Sequence, residues 1–166
     1  MKNQFLLLSL IAFVLFSCDK EDDSPSIFLE GSYESVYPAT AEEPKAGTVM
    51  TFSKNGDLLI EHFSLIGGSN DRCITGYSEG TYTLRGEDFT ETITASFGPG
   101  PAGFDETKGC TPKSQFVNNF DPNNAVASGK LILDDSKGAY SVGFACNDLG
   151  DSMNICLGPQ TYTKVN

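Results

Sequence analysis

The side chains able to do chemistry are few, and their spacing narrows what they could do. The 166-residue chain holds five cysteines and a single histidine, His62. Cys18 stands apart, at the end of an apolar run in FVLFSCDKEDDS. The other four, Cys73, Cys110, Cys146 and Cys156, fit no zinc-ligand spacing, and one histidine adds little to a metal site, so no metal is expected. An even set of cysteines in an exported chain points instead to two disulfides, with three possible connectivities. No Ser/His/Asp spacing or nucleophile elbow is visible, and one histidine leaves little for general-base work. Neither an enzyme activity nor a cofactor is expected. Asn147, Asp148, Asp151 and Asn154 offer oxygens in a short span but lack EF-hand spacing, which makes calcium a weak match.

Cys18 has a more specific chemistry. Lys2 gives a basic start, and FLLLSLIAFVLF is an apolar stretch shorter than the roughly 20 residues a helix needs to span a bilayer. The stretch ends in Leu15-Phe16-Ser17-Cys18, which resembles the lipobox of a bacterial lipoprotein signal. That resemblance implies diacylglycerol on the Cys18 thiol, cleavage before Cys18, and an acyl chain such as palmitate on the new amino terminus. Two or three chains, at about 0.8 kcal/mol per buried methylene, hold a protein firmly to a membrane. The competing reading is an ordinary signal peptide with an incidental cysteine. Residues 1–17 are then the leader, 18–29 a lipidated cysteine with an acidic tether, and 30–166 the folded domain. The tether DKEDDSPS is polar, charged and proline-containing, so it is expected to stay disordered. An acidic run directly after the cysteine resembles the export signal of surface lipoproteins in the Bacteroidota. It implies the outer face of the outer membrane, with the periplasmic leaflet as the alternative.

Charge excludes some partners. Of the 11 Lys and Arg residues one, Lys2, departs with the leader, so the mature chain sets ten basic side chains against 22 acidic ones. That balance disfavours nucleic acid and anionic head groups. The membrane is then a partner only through the lipid, and a monomer is expected.

The elements that must position these residues read as strands. No helix period is present beyond the leader. Short runs rich in Thr, Tyr, Phe, Ile and Val predict strands at 31–38, 47–53, 57–64, 79–85, 88–97, 129–134, 139–146 and 160–165, with 114–120 as either a ninth strand or an edge piece. Alternation with a period of two places Phe89, Glu91, Ile93, Ala95 and Phe97 on one face of 88–97, and Tyr140, Val142, Phe144 and Cys146 on one face of 139–146. One apolar and one wet face per strand predict an all-β, antiparallel, up-and-down sheet closed on itself as a barrel or sandwich.

Tight turns at 54–56, 86–87 and 135–138 alternate with long connections at 38–47, 65–78, 98–128 and 147–159. If each strand reverses direction, the tight turns share one end and the long loops the other. Cys73, Cys110 and Cys156 fall in long loops and Cys146 at the entrance to one, so disulfides are expected to staple the loop end.

The run Gly31-Ser32-Tyr33, then TFSKNGDLLI, then EGTYTLRGEDFTETI resembles the lipocalin-like domains of Bacteroidota lipoproteins, over about residues 31–97. Tyr33 stands where that family has a Trp. The resemblance implies an eight-stranded calycin-type barrel with an apolar interior open at the loop end, and implies no particular ligand. Tyr33, Phe52, Tyr82, Phe89, Glu91, Ile93, Tyr140, Phe144 and Tyr162 are expected inward, either lining a ligand or packing a core. An unpaired Glu91 there must pair, protonate or meet a polar ligand, unless a bulge turns it outward. His62 shares a face with Leu58 and Ile60. The favoured function is a lipid-anchored envelope protein holding a small apolar or amphipathic molecule. The alternative is an interaction or inhibitor protein that binds a macromolecule through its long loops, the Gly/Pro-rich 98–110 among them.

Overall fold

The computed structural model describes residues 26–37, 45–65, 71–100, 110–144 and 158–165. Cys18, Cys146, Cys156, the Asn147–Asn154 oxygens and most of the 98–110 loop lie outside the described residues.

The strands are β1 (Gly31–Tyr37), β2 (Ala46–Phe52), β3 (Asp57–Leu65), β4 (Arg72–Arg85), β5 (Asp88–Gly98), β6 (Val117–Asn118), β7 (Val126–Leu133), β8 (Ala139–Phe144) and β9 (Gln160–Val165). Each long strand pairs antiparallel with its sequence neighbour. β5 joins β7, β9 joins β1, and the β4–β5 pairing closes the circle. The result is a closed, eight-stranded up-and-down barrel. The two-residue β6 sits on the edge of β5 beyond the end of β7, with Phe97 opposite Asn118 and Gly98 opposite Val117. Closure leaves no long sheet edge to recruit another chain.

Three tight turns gather at one end, as the spacing predicts. Ser53–Asp57 closes through Gly56 N–H to the Ser53 carbonyl at 3.0 Å, with Gly56 at φ +90°, a backbone region that glycine enters without a Cβ clash. At the third turn the Asp134 carboxylate accepts from the Ala139 amide and the Ser136 hydroxyl, which hold it below the usual carboxylate range. The chain also enters at this turn end. Ile27 N–H bonds the Leu84 carbonyl, and buried Leu29 is pinned by the Tyr82 hydroxyl, which accepts from its amide at 2.8 Å and donates to its carbonyl at 2.9 Å. Residues 26–30 thus plug the barrel floor.

Two departures from the sequence reading concern β4 and β5. β4 begins at Arg72, not at 79, so 65–78 is not one long loop and Cys73 lies in a strand. The segment RCITGYSEG looks loop-like because of its glycines, yet Gly80 is required there. A Cβ on it would stand 2.1 Å from the Thr92 carbonyl oxygen. The register also slips twice, between His62 and Phe63 on the β3–β4 seam and between Glu79 and Gly80 on the β4–β5 seam. An extra residue in a strand reverses the facing of all that follow. Thr94 is unpaired at the second slip, so Ala95 and Phe97 leave the face of Phe89, Glu91 and Ile93, and Ser96 takes the inward place.

Candidate functional site

The barrel interior divides into two levels. At the turn end, Tyr33, Phe52, Tyr82, Phe89 and Tyr140 are buried together, packed largely edge to face. Phe52 is 4.9 Å from Tyr82, and Tyr33 is 5.0 Å from Tyr140, between ring centroids. Met50, Leu58, Leu84 and Leu131 fill the spaces between them. These tyrosine hydroxyls are spent inside the floor. Tyr33 donates to the Lys137 carbonyl at 3.3 Å and Tyr140 to the Met50 sulfur at 3.2 Å. Side chains so enclosed resist ionisation, and burial raises the pKa of all three tyrosines. Of the nine residues expected to line a ligand, these five form a filled floor.

Toward the loop end the inward positions become small and polar. Pairing register carries the inner face of β4 through Gly80, Ser78 and Gly76, opposite Leu58, Ile60 and His62. Ser78 faces Ser96 of β5, their hydroxyls 3.0 Å apart. Ser35 of β1, Thr48 of β2 and Ala127 of β7 continue the ring, while Gly129 lies opposite Phe89 of the floor. Ile93, Val142 and Tyr162 supply apolar wall. His62 lies on this inner face, its Nδ1 3.0 Å from the Thr48 hydroxyl, yet it is exposed; Tyr37 and Phe144, inward by register, are 38% exposed as well. Ser35, Thr48 and Ser64, inward by the same register, are buried, so the inward positions at this end are partly exposed and partly covered. The protein around His62 lowers its pKa by desolvation.

Glu91 sits between the two levels, opposite Tyr82 on β4 and Ala127 on β7. Its Oε2 is buried without a hydrogen-bond partner among the described residues. Desolvation pushes its pKa from the ordinary 4.5 up to about 7. Its charge in turn helps raise Tyr140 and Tyr162, whose rings stack 5.0 Å apart, although burial is the larger cause for both. No bulge turns Glu91 outward, because the register slip falls after Ile93.

Cys73 and Cys110 form a disulfide that ties the loop-end start of β4 to the segment after the 98–110 loop. That segment lies along the barrel's outer wall. Phe116 stacks on Tyr77 at 6.0 Å, Tyr77 stacks on Phe97 at 4.8 Å, and Lys113 pairs with Glu61. Among the described residues no group of three or more His, Cys, Asp or Glu side chains stands ready for a metal ion.

The sequence reading missed the polar lining: Ser35, Thr48, Ser78, Ser96 and Gln160. Counting by twos from Tyr33, Met50 and Tyr82 finds Ser35, Thr48 and Ser78. Ser96 was hidden by the bulge. Gln160 accepts from the Tyr37 hydroxyl at 2.6 Å at the rim. Compared with known families and with curated proteins, the chain matches no family model and no curated sequence.

Proposed function

We propose that this is a lipid-anchored binding protein of the bacterial cell envelope, of the lipocalin-like type, whose barrel holds one small apolar or amphipathic molecule. A single observation carries the reading: the loop half of the interior is walled by Gly, Ser, Ala and Thr, above a floor already packed with aromatic rings. An eight-stranded barrel is just wide enough to be filled by side chains or to hold one small ligand. Here the floor takes the first course, and the small residues above it leave room for the second.

Orientation supports the anchor. The described chain enters at the turn end, so a lipid on Cys18, eight residues before Ser26, would tether that end within about 28 Å of the bilayer. The loop end would then face away from the membrane, toward an incoming ligand. The aromatic segment 110–120 on the outer wall favours a second reading, in which the disulfide-fixed loop side grips another macromolecule.

All nine strands and the floor plug lie within residues 26–165, so residues 19–166 hold the whole described fold. Native mass spectrometry of the mature protein, extracted from its own envelope, is expected to retain a small-molecule adduct. Ser78→Phe should abolish the adduct, and Thr81→Phe on the outer face should not. Absence of any adduct or apolar-probe binding would favour the second reading. For the anchor, incorporation of an alkyne-tagged palmitate that is lost in Cys18→Ala is expected.

A further inference from the structure

Within that reading, the interior has a chemical preference. The inner wall of the loop half carries hydroxyls, an amide and an exposed imidazole, but no cation among the described residues. Lys164 is the inward-facing cation, and it lies at the turn end over the Tyr33 ring, 5.7 Å from its centroid. Against this wall stands the Glu91 carboxylate, whose buried Oε2 has no hydrogen-bond partner among the described residues. A buried polar atom left unpaired costs about 1–3 kcal/mol, more when charged, so a partner supplied from outside removes a penalty as well as adding a bond.

We propose that the ligand is a primary or secondary amine with an apolar body, its ammonium group docked on Glu91 and its tail among Ile93, Val142 and the Gly/Ser wall. The acidic surface draws cations inward and repels carboxylate-bearing molecules before they reach the mouth.

The titratable groups around Glu91 are Tyr82 on β4, Tyr140 on β8, Tyr162 on β9 and, farther up the wall, Tyr37 on β1 and His62 on β3; β7 contributes only Ala127. Burial raises the pKa of Tyr82, Tyr140 and Tyr162 and lowers that of His62, which favours the neutral form of each. Glu91 therefore governs the pH dependence. Free Glu91 is about half protonated near pH 7, and a docked ammonium expels that proton, a release of roughly 0.5 proton per ligand. Amine affinity rises about tenfold from pH 6 to pH 8, following the ionised fraction.

The test is calorimetric titration of residues 19–166 with octylamine, 1-octanol and octanoate, in two buffers of different ionisation enthalpy. Expected are octylamine at least tenfold tighter than octanoate at pH 8, the proton release near pH 7, and loss of both in Glu91→Gln while 1-octanol still binds. Equal affinity for the three, or an amine preference that survives Glu91→Gln, overturns this inference and leaves the binding reading intact. Failure of all three compounds to bind overturns both.

Discussion

The two ends of this barrel share strands, pairing and closure, and differ in what their inward side chains occupy. At the turn end five aromatic rings and the Leu29 plug fill the interior, and every described tyrosine hydroxyl there is bonded to protein. At the loop end the same strands turn Ser, Thr, Gly and Ala inward and leave His62 and Phe144 exposed. Strand geometry sets the radius, but side-chain volume decides which level is packed with rings and which is lined by small residues. Glu91 marks the boundary: low enough to lose its water, too high to gain a partner from the floor.

The sharpest way to break this contrast is to remove volume at each level. Phe52→Ala should cost about 3–5 kcal/mol in denaturant unfolding, the range for a large aromatic deleted from a packed core. Ser78→Ala should cost no more than about 1 kcal/mol, the worth of one hydroxyl bond. Similar losses would mean that both levels are core.

The loop end depends more on its covalent staple. The Cys73–Cys110 bridge closes a separation of 37 residues, and chain entropy assigns such a loop about 3–4 kcal/mol. Replacing both cysteines by serine should lower stability by about that amount. Peptide mapping under non-reducing conditions should recover residues 73 and 110 linked.

Glu91 sharpens the boundary through pH. Its folded pKa, near 7, lies above the ordinary 4.5, so the folded state holds the proton more tightly than the unfolded chain does. Stability of the ligand-free protein is highest below about pH 4.5 in this respect and is lost as pH rises through 7. Glu91→Gln should be near neutral at pH 4 and should stabilise by up to about 3 kcal/mol at pH 8. A variant equally affected at both values would show that Glu91 is not buried alone. A more modest effect is expected at the floor's polar link. Tyr82→Phe should cost about 1–2 kcal/mol and speed hydrogen exchange at the Leu29 amide.

Much of this was legible from residue order. Alternation located all eight barrel strands, and the rhythm of short and long connections sorted turns to one end and loops to the other. The bulges were not legible, because a one-residue slip leaves no mark in composition. They hid Ser96 on the inner wall and placed Phe97 outside, where it stacks with Tyr77. The long start of β4 was hidden for a related reason. Gly76 and Gly80 look like turn residues in isolation, and only a facing strand 2.1 Å from a would-be Cβ explains the latter. Whether aromatic residues filled or lined the barrel depended on volumes that a sequence does not contain. Burial of Tyr33, Phe52, Tyr82, Phe89 and Tyr140 against one another answers it for the floor.

The most direct measurement is amide chemical-shift mapping of residues 19–166 during titration with octylamine at pH 8. A filled floor beneath an open, binding loop half requires shifts concentrated at Gly76, Ser78, Gly80, Glu91 and Ser96, with Tyr33, Phe52 and Leu84 unmoved. Shifts confined to the outer segment 110–120, or none at any position, would contradict it.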